Sequence, residues 1–237
     1  MTITSPHNEH LKEIRKLNQR RRNRDQHGRF VAEGEDLLAA ADAAGWAPVE
    51  RYCAAGSGLP GTEVEPDVLA SVSELGSGTR TLAIFEERWA PVPAGPLCVY
   101  LHGVRDPGNV GAILRSAEAF GVATVAIGPG TADPFGPKAV RASMGAVFAV
   151  PVARAATIAE LPGATVALDA GTDATPALET LALTDVTLLI GAEREGLPAE
   201  LLQAADHVAR IPIATHSLNA VMAATVALYE VSRMARK

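Results

Sequence analysis

The sequence predicts an α/β protein in two parts: a small α/β domain over residues 1–90, and a larger α/β domain over 97–237 with a mostly parallel sheet. Three observations carry this. Short apolar runs recur at regular intervals after residue 96, helical segments separate them, and the stretch Ala90-Pro-Val-Pro-Ala-Gly-Pro96 divides the chain. Nearly continuous apolar strands suit a parallel sheet covered on both faces, and strand–helix alternation is the α/β pattern. The prolines suit an extended linker, placed at 91–96.

Leu11, Ile14 and Leu17 recur at helical spacing among basic residues and predict an amphipathic helix over 8–22. Arg21–Gly28 reads as an exposed loop. Phe30-Val-Ala-Glu-Gly34 reads as a strand, and Glu35–Ala44 as a helix closed by Gly45. Further strands are expected near 49–53 and 82–86, with a helix over 66–75 between them. Beyond the linker the predicted strands are Leu97–Leu101, Val122–Ile127, Val147–Pro151, Thr165–Asp169, Val186–Ile190 and Val208–Ile211. A helix over 109–120 stops at Gly121, and a last helix spans 217–235.

Composition bounds the function. Apolar residues make up 48% of the 237 and charged residues 20%, which is ordinary globular content. Aromatics are only 4%, so base stacking on aromatic platforms is not the expected mode of nucleic-acid contact. Cys53 and Cys98 lack metal-ligand spacing and read as reduced and structural. The six histidines form no paired ligand motif, so no metal is expected. No apolar run reaches the roughly 18 residues of a membrane span, and the first residues lack the apolar core of a secretion signal. The expectation is a cytoplasmic protein with no membrane partner. The net charge of −6 hides a basic front: residues 1–30 hold eight basic side chains against three acidic ones. A polyanion meeting the N-terminus and a solvated helix face both fit that asymmetry.

The loop after Leu97–Leu101 reads Gly103-Val-Arg-Asp-Pro-Gly108-Asn-Val-Gly111 and lacks the Gly-x-Gly-x-x-Gly spacing of dinucleotide binding. The next strand ends in Gly128-Pro129, where a ribose-binding carboxylate would be needed, so a dehydrogenase is disfavoured. Three other blocks place polar groups and glycines where strands end, the place where α/β sheets collect ligands. In Asn109-Val-Gly-Ala-Ile-Leu-Arg115, Asn109 suits a helix cap or a loop anchor. Arg115, six residues on, does not share its helical face. In Ile190-Gly-Ala-Glu-Arg-Glu-Gly-Leu-Pro198, Gly191 lets backbone approach a ligand and Glu193 is displayed at the strand edge. In Ile211-Pro-Ile-Ala-Thr-His-Ser-Leu-Asn219, Ser217 has the type of a helix cap, and Asn219 has the less obvious structural use.

In this order and with these residues, the blocks resemble the three signature motifs of the SpoU (TrmH-like) family of RNA 2′-O-ribose methyltransferases, within the SPOUT superfamily. Arg141-Ala-Ser143-Met-Gly145 is similar to the family's intervening segment. Ile3 through Gly34, less specifically, is similar to its substrate-binding domain. The chain departs from the pattern at Ala214-Thr215-His216, where many relatives carry glycine and acidic residues.

The resemblance implies a deep trefoil knot in the catalytic domain, which general topology rules would not predict. It also implies S-adenosyl-L-methionine bound by the knot loops. Carried onto this chain, the cofactor contacts are Leu168, Asp169, Ala170, Gly171, Ile190, Gly191, Ile211, Pro212 and Leu218. Arg115 becomes the activating residue, as base or as electrostatic stabiliser, with Asn109, Glu193, Ser217 and Asn219 orienting the ribose and the loops. Lys12, Arg15, Arg20, Arg21, Arg22 and Arg24 would grip the RNA backbone, joined by Arg141 and Ser143. Ribosomal RNA is favoured as target over transfer RNA, and a fold that has lost catalysis is the rival. A homodimer is also implied, with Leu218, Val221, Met222, Thr225, Val226 and Tyr229 as one apolar stripe of the last helix.

Overall fold

A computed structural model describes residues 2–76, 78–170, 176–181, 184–214 and 217–234. The front of the chain opens with α1 (Glu9–Gln19), capped by Asn8, whose side chain accepts from the His10 N–H. Leu11, Ile14 and Leu17 are fully buried, as their spacing requires. Each contributes on the order of 1.5–3 kcal/mol of apolar burial. The helix breaks at Arg20, which is extended, and a second helix, α2 (Arg21–His27), follows.

This corrects the loop expected over Arg21–Gly28. The buried face of α2 is made by Arg24 rather than by an apolar residue, so hydropathy gives no sign of it. Gly28, at φ +61°, closes the helix in the left-handed conformation that suits glycine.

Strand β1 (Arg29–Glu33), helix α3 (Glu35–Ala43), strands β2 (Glu50–Ala54) and β3 (Thr62–Val64), helix α4 (Pro66–Ala70) and strand β4 (Thr81–Glu86) complete this part. They form a four-stranded sheet in the order β1-β4-β2-β3. Helix α4 is shorter than the helix expected over 66–75, and strand β3 lies outside the expected elements. The three-residue pairing of β3 with β2 is too brief to show alternation in sequence.

The second part contains β5 (Trp89–Ala90), β6 (Leu97–Leu101), α5 (Pro107–Ala119), β7 (Thr124–Ile127), α6 (Pro137–Ser143), α7 (Ala146–Ala149), β8 (Val152–Arg154), β9 (Ala164–Leu168), β10 (Val186–Ile190), α8 (Ala199–Ala204), β11 (His207–Ala209) and α9 (Ala220–Met234). The strands form one sheet, β11-β9-β10-β6-β7-β8-β5, in which every pairing is parallel.

The run Val147–Pro151 is not a strand. Its first residues form α7, which turns Val147 and Phe148 into the core, and the strand begins at Val152. A short apolar run carries no periodicity that separates the two outcomes. Trp89 and Ala90 already pair with β8, so sheet membership changes ahead of the prolines. The proline-rich segment lies along the sheet, where Ala94 exchanges hydrogen bonds with the Thr124 hydroxyl at 3.2 and 2.7 Å.

The two sheets share a core. Four of the five phenylalanines and both tryptophans meet at their junction. Phe30 lies 4.9 Å from Phe135 and 5.9 Å from Phe148, and Trp46 lies 5.2 Å from Phe148. The Trp46 indole N–H also donates to the Phe148 carbonyl at 2.9 Å. Such ring pairs add about 0.5–1.5 kcal/mol each beyond their buried area. A scarce residue type is thus concentrated where one part is fixed against the other.

Candidate functional site

A cavity of about 310 Å³ opens beyond the C-terminal ends of β9, β10 and β11, adjacent parallel strands of the large sheet. The β9 exit supplies Leu168, Asp169 and Ala170, and the β10 exit supplies Ile190 through Gly196. Ile211 and Ile213 follow β11, Ser217 and Leu218 lie just before the last helix, and Ala220 and Ala223 lie in its first turn.

The β10 exit is a tight backbone turn. Ala192 and Gly196 exchange N–H to carbonyl hydrogen bonds at 3.1 and 2.9 Å, which folds Gly191 back onto Gly196. A Cβ at Gly191 would overlap the Gly196 carbonyl, so only glycine fits there.

The first block meets this turn through one contact. Asp106, not Asn109, caps α5: its carboxylate accepts the Gly108 N–H at 2.6 Å. Lys138 Nζ binds the same carboxylate at 2.9 and 3.1 Å. Together, the Lys138 ammonium first and the Gly108 N–H second, they hold the Asp106 carboxyl below its ordinary value. Asn109 is then free in the first helical turn, and its side-chain amide donates to Glu193 Oε1, 84 residues along the chain. Glu195 on the same turn pairs with Arg105 at 3.3 Å. Two blocks distant in sequence therefore fix one acidic turn at the cavity's edge.

Of the expected cofactor contacts, Leu168, Asp169, Ala170, Ile190, Gly191, Ile211 and Leu218 line the cavity. Pro212 is exposed and does not line it, although Ile211 and Ile213 on either side do. Gly171 lies outside the described residues. Glu193 and Ser217 line the cavity, whereas Asn219 caps α9, accepting the Val221 N–H at 2.9 Å. Arg115 is exposed on α5 and does not line the cavity, and among the described residues no hydrogen bond reaches its guanidinium. Ala192, Arg194, Ile213 and Ala223 also line the cavity, and sequence reasoning missed them. The alternation Ile211/Ile213 across Pro212 was the available signal for one of them.

Of the expected RNA contacts, Arg20, Arg21, Arg22 and Arg141 are exposed. Lys12 pairs with Glu9, and Arg15 donates to the Pro6 carbonyl at 2.7 Å. Two expectations are corrected. Ser143 is fully buried, its hydroxyl bonded to the Val140 carbonyl at 2.7 Å, so it closes a helix turn and offers nothing to a polyanion. Arg24 is only 6% exposed and is held by Asp133. Among the described residues, no group of His, Cys, Asp and Glu is placed to hold a metal ion, and no helix is long and apolar enough to cross a membrane.

The model of the SpoU rRNA methylase family matches residues 96–229, the span that holds the cavity and all three blocks. The chain belongs to the SpoU family. The model of the MRM3-like substrate binding domain matches residues 8–83, the front sheet of this SpoU protein. Among relatives, an uncharacterized tRNA/rRNA methyltransferase of Mycobacterium tuberculosis is 38% identical over 76% of this chain and 68% of its own. The 23S rRNA (guanosine(2553)-2'-O)-methyltransferase RlmP of Bacillus subtilis is 27% identical over 96% and 97%. Among solved structures, an AdoMet-bound rRNA methyltransferase from Sinorhizobium meliloti superposes with a TM-score of 0.86 at 34% identity, covering 98% and 97% of the two chains. The chain is thus an RNA methyltransferase of the SpoU family, and it superposes on the Sinorhizobium meliloti structure over nearly its whole length.

Proposed function

We propose that this protein transfers the methyl group of S-adenosylmethionine to a ribose 2′-hydroxyl of ribosomal RNA, acting as a cytoplasmic homodimer. The observation that carries the reading is the Asn109–Glu193 bond at the edge of the cavity, which joins the first and second family motifs into one site. The ribose specificity takes support from the name of the Bacillus subtilis relative, and the cofactor from the bound state of the Sinorhizobium meliloti structure.

The cavity fits such a cofactor. Its volume lies at the lower end of the range for small-molecule sites. Leu168, Ile190, Ile211, Ile213 and Leu218 offer an apolar bed, and Gly191 and Gly196 leave main chain of the 191–196 turn at the cavity wall. Asp169, Glu193 and Ser217 supply polar side chains for orientation. S-adenosylmethionine, when bound, supplies a methyl already activated on sulfonium. The protein's own task is alignment and management of the hydroxyl proton.

Arg115 stabilises the developing oxyanion in this scheme. A guanidinium stays protonated at ordinary pH and is a poor base. Because Arg115 does not line the cavity of its own chain, it serves the site of a second copy. Met222, Val226 and Tyr229, exposed at 61%, 38% and 52% on α9, form the apolar stripe that copy would cover. Helices α5 and α9 pack together, with Ser116 and Thr225 hydroxyls 2.7 Å apart, so a copy seated on α9 would also lie near α5, the helix of Arg115.

The deciding experiment offers the purified protein labelled S-adenosylmethionine and unmodified ribosomal RNA, then digests the RNA to nucleosides. Label on a 2′-O-methyl nucleoside is expected. Label on a base, or none on ribosomal RNA and some on transfer RNA, overturns the corresponding part of the reading. Calorimetry without any cofactor binding would favour a fold that has lost catalysis.

A further inference from the structure

In the basic stretch that leads into α2, Arg20, Arg21 and Arg22 are exposed, whereas Arg24 turns inward. Its Nε donates to Asp133 Oδ2 at 2.8 Å, with the two side chains 7% and 10% exposed, and its Nη1 donates to the Leu17 carbonyl at 2.5 Å. Leu17 sits in the last turn of α1, whose carbonyls have no partner within the helix. Asn23 takes the neighbouring Lys16 carbonyl at 2.7 Å. One side chain therefore ties α2 both to α1 and to the loop before α6 of the large domain.

That loop is held at both ends. Asp133 Oδ1 accepts the Phe135 N–H at 2.9 Å, and α6 begins at Pro137. Lys138 then grips Asp106, the cap of α5, and α5 presents Asn109 to Glu193. Polar contacts thus run from the arginine-bearing helix to the edge of the cavity. A parallel but exposed link, Asp25 to Arg154 at 3.5 Å, joins α2 to the end of β8.

A buried ion pair is a weak source of net stability. Desolvating two charges costs several kcal/mol, and an apolar pair of the same volume is often as stable. The adjoining Phe30–Phe135 contact shows that apolar packing is available at this junction. What a charge-assisted pair adds, with the guanidinium divided between the Asp133 carboxylate and the Leu17 carbonyl, is a fixed register, since ring contacts tolerate sliding and directed hydrogen bonds do not.

We infer that Arg24 and Asp133 are positioning residues for methyl transfer: their ion pair sets where the RNA-gripping helix α2 stands relative to the cavity. The inference rests on the reading of α2 as an RNA contact and of the cavity as the methyl-donor site. RNA held by Arg20, Arg21 and Arg22 would still bind without the pair, but its ribose would arrive out of line. A displacement of about 1 Å is enough to lower a rate about 100-fold.

The test measures methyl transfer at saturating unmodified ribosomal RNA, RNA affinity by filter binding and S-adenosylmethionine affinity by calorimetry. Arg24→Met and Asp133→Asn should each lower the saturating rate about 10- to 100-fold. RNA affinity should stay within about twofold, because the phosphate contacts of α2 are retained, and cofactor affinity should not change. Arg24→Lys, which keeps the cation and loses the fork, should recover part of the rate. Asp133→Asn keeps the side-chain volume and the acceptor for Phe135, so it decides the matter should Arg24→Met fail to fold. A saturating rate unchanged in Asp133→Asn, or lowered only in step with RNA or cofactor affinity, overturns the positioning role. A wild-type protein that methylates no ribosomal RNA overturns the underlying reading as well, which separates the two failures.

Discussion

Around the cavity most acidic side chains are already engaged: Glu193 by Asn109, Glu195 by Arg105 and, behind them, Asp106 by Lys138. At the start of α2 the opposite holds. Arg20 and Arg22 face solvent, and Arg21 only leans on Asp25 at 3.6 Å. A small ligand with fixed shape is met by side chains whose places are settled beforehand, which limits the ordering cost on binding. A flexible polyanion is met by solvated charges that exchange counterions for phosphates and need no single geometry. Under the proposed function, the chemistry would be written in local contacts, whereas target choice would depend on how a loosely gripped RNA is delivered.

The contrast can be broken most forcefully at Arg115. Arg115→Ala is expected to lower the methyl-transfer rate by about 10²- to 10³-fold, the size of losing one oxyanion donor. Cofactor affinity should be unchanged by calorimetry, and a wild-type rate in this variant would remove Arg115 from the chemistry. Next comes Asn109→Ala, which strands the Glu193 carboxylate. A penalty of about 1–3 kcal/mol is expected, read as weaker cofactor binding or slower transfer, while RNA affinity stays put. Replacing Arg20, Arg21 and Arg22 by Ala should do the converse. RNA binding should weaken, and the slope of its salt dependence should fall by about 0.7–0.9 for each phosphate no longer neutralised. Deleting residues 1–30 cannot serve instead, because it removes Leu11, Ile14 and Leu17 from a core.

A smaller effect belongs to the cap of α9: Asn219→Ala should cost about 1 kcal/mol in thermal unfolding, and Asn219→Asp should restore it. The smallest is a pH effect. Because Lys138 and the Gly108 N–H hold the Asp106 carboxyl below its ordinary 3.8, the unfolded chain takes up this proton before the folded one. The stabilisation is complete above that value and disappears as the pH falls through the lower, folded value. Lys138→Met should flatten this part of an acid-unfolding curve, whereas an unchanged curve would show the pair to be idle.

The parts of this site legible in sequence are those where residue type alone states the need. Gly191 must be glycine because the backbone doubles back, and Glu193 follows a buried strand, so its display at the edge was foreseeable. The large sheet was legible because β6, β9 and β10 are apolar almost from end to end. Of the two roles open to Asn109, cap or loop anchor, the structure takes the second, and Asn219 becomes the cap of α9. Asp106 and Asn109 both have capping types, and only the three-dimensional position of the 191–196 turn decides which one is left for Glu193. Arg24 was illegible for a related reason: an arginine in a basic run gives no sign that its partner waits 109 residues away. Strand β8 and helix α7 depart from the expected pattern because Phe148 is claimed by rings from the other sheet, a tertiary demand that no local pattern records.

The aromatic junction carries one more consequence, for anyone hoping to retarget such an enzyme by grafting. Exchange of the front domain for that of a relative treats the two sheets as separable modules. Here Phe30, Trp46 and Phe85 complete the packing of Phe135 and Phe148 across the boundary. A chimera joined at the proline-rich segment would inherit half of a jigsaw. Its success would depend on whether the donor domain brings rings of matching shape, and much less on the length or suppleness of the joint.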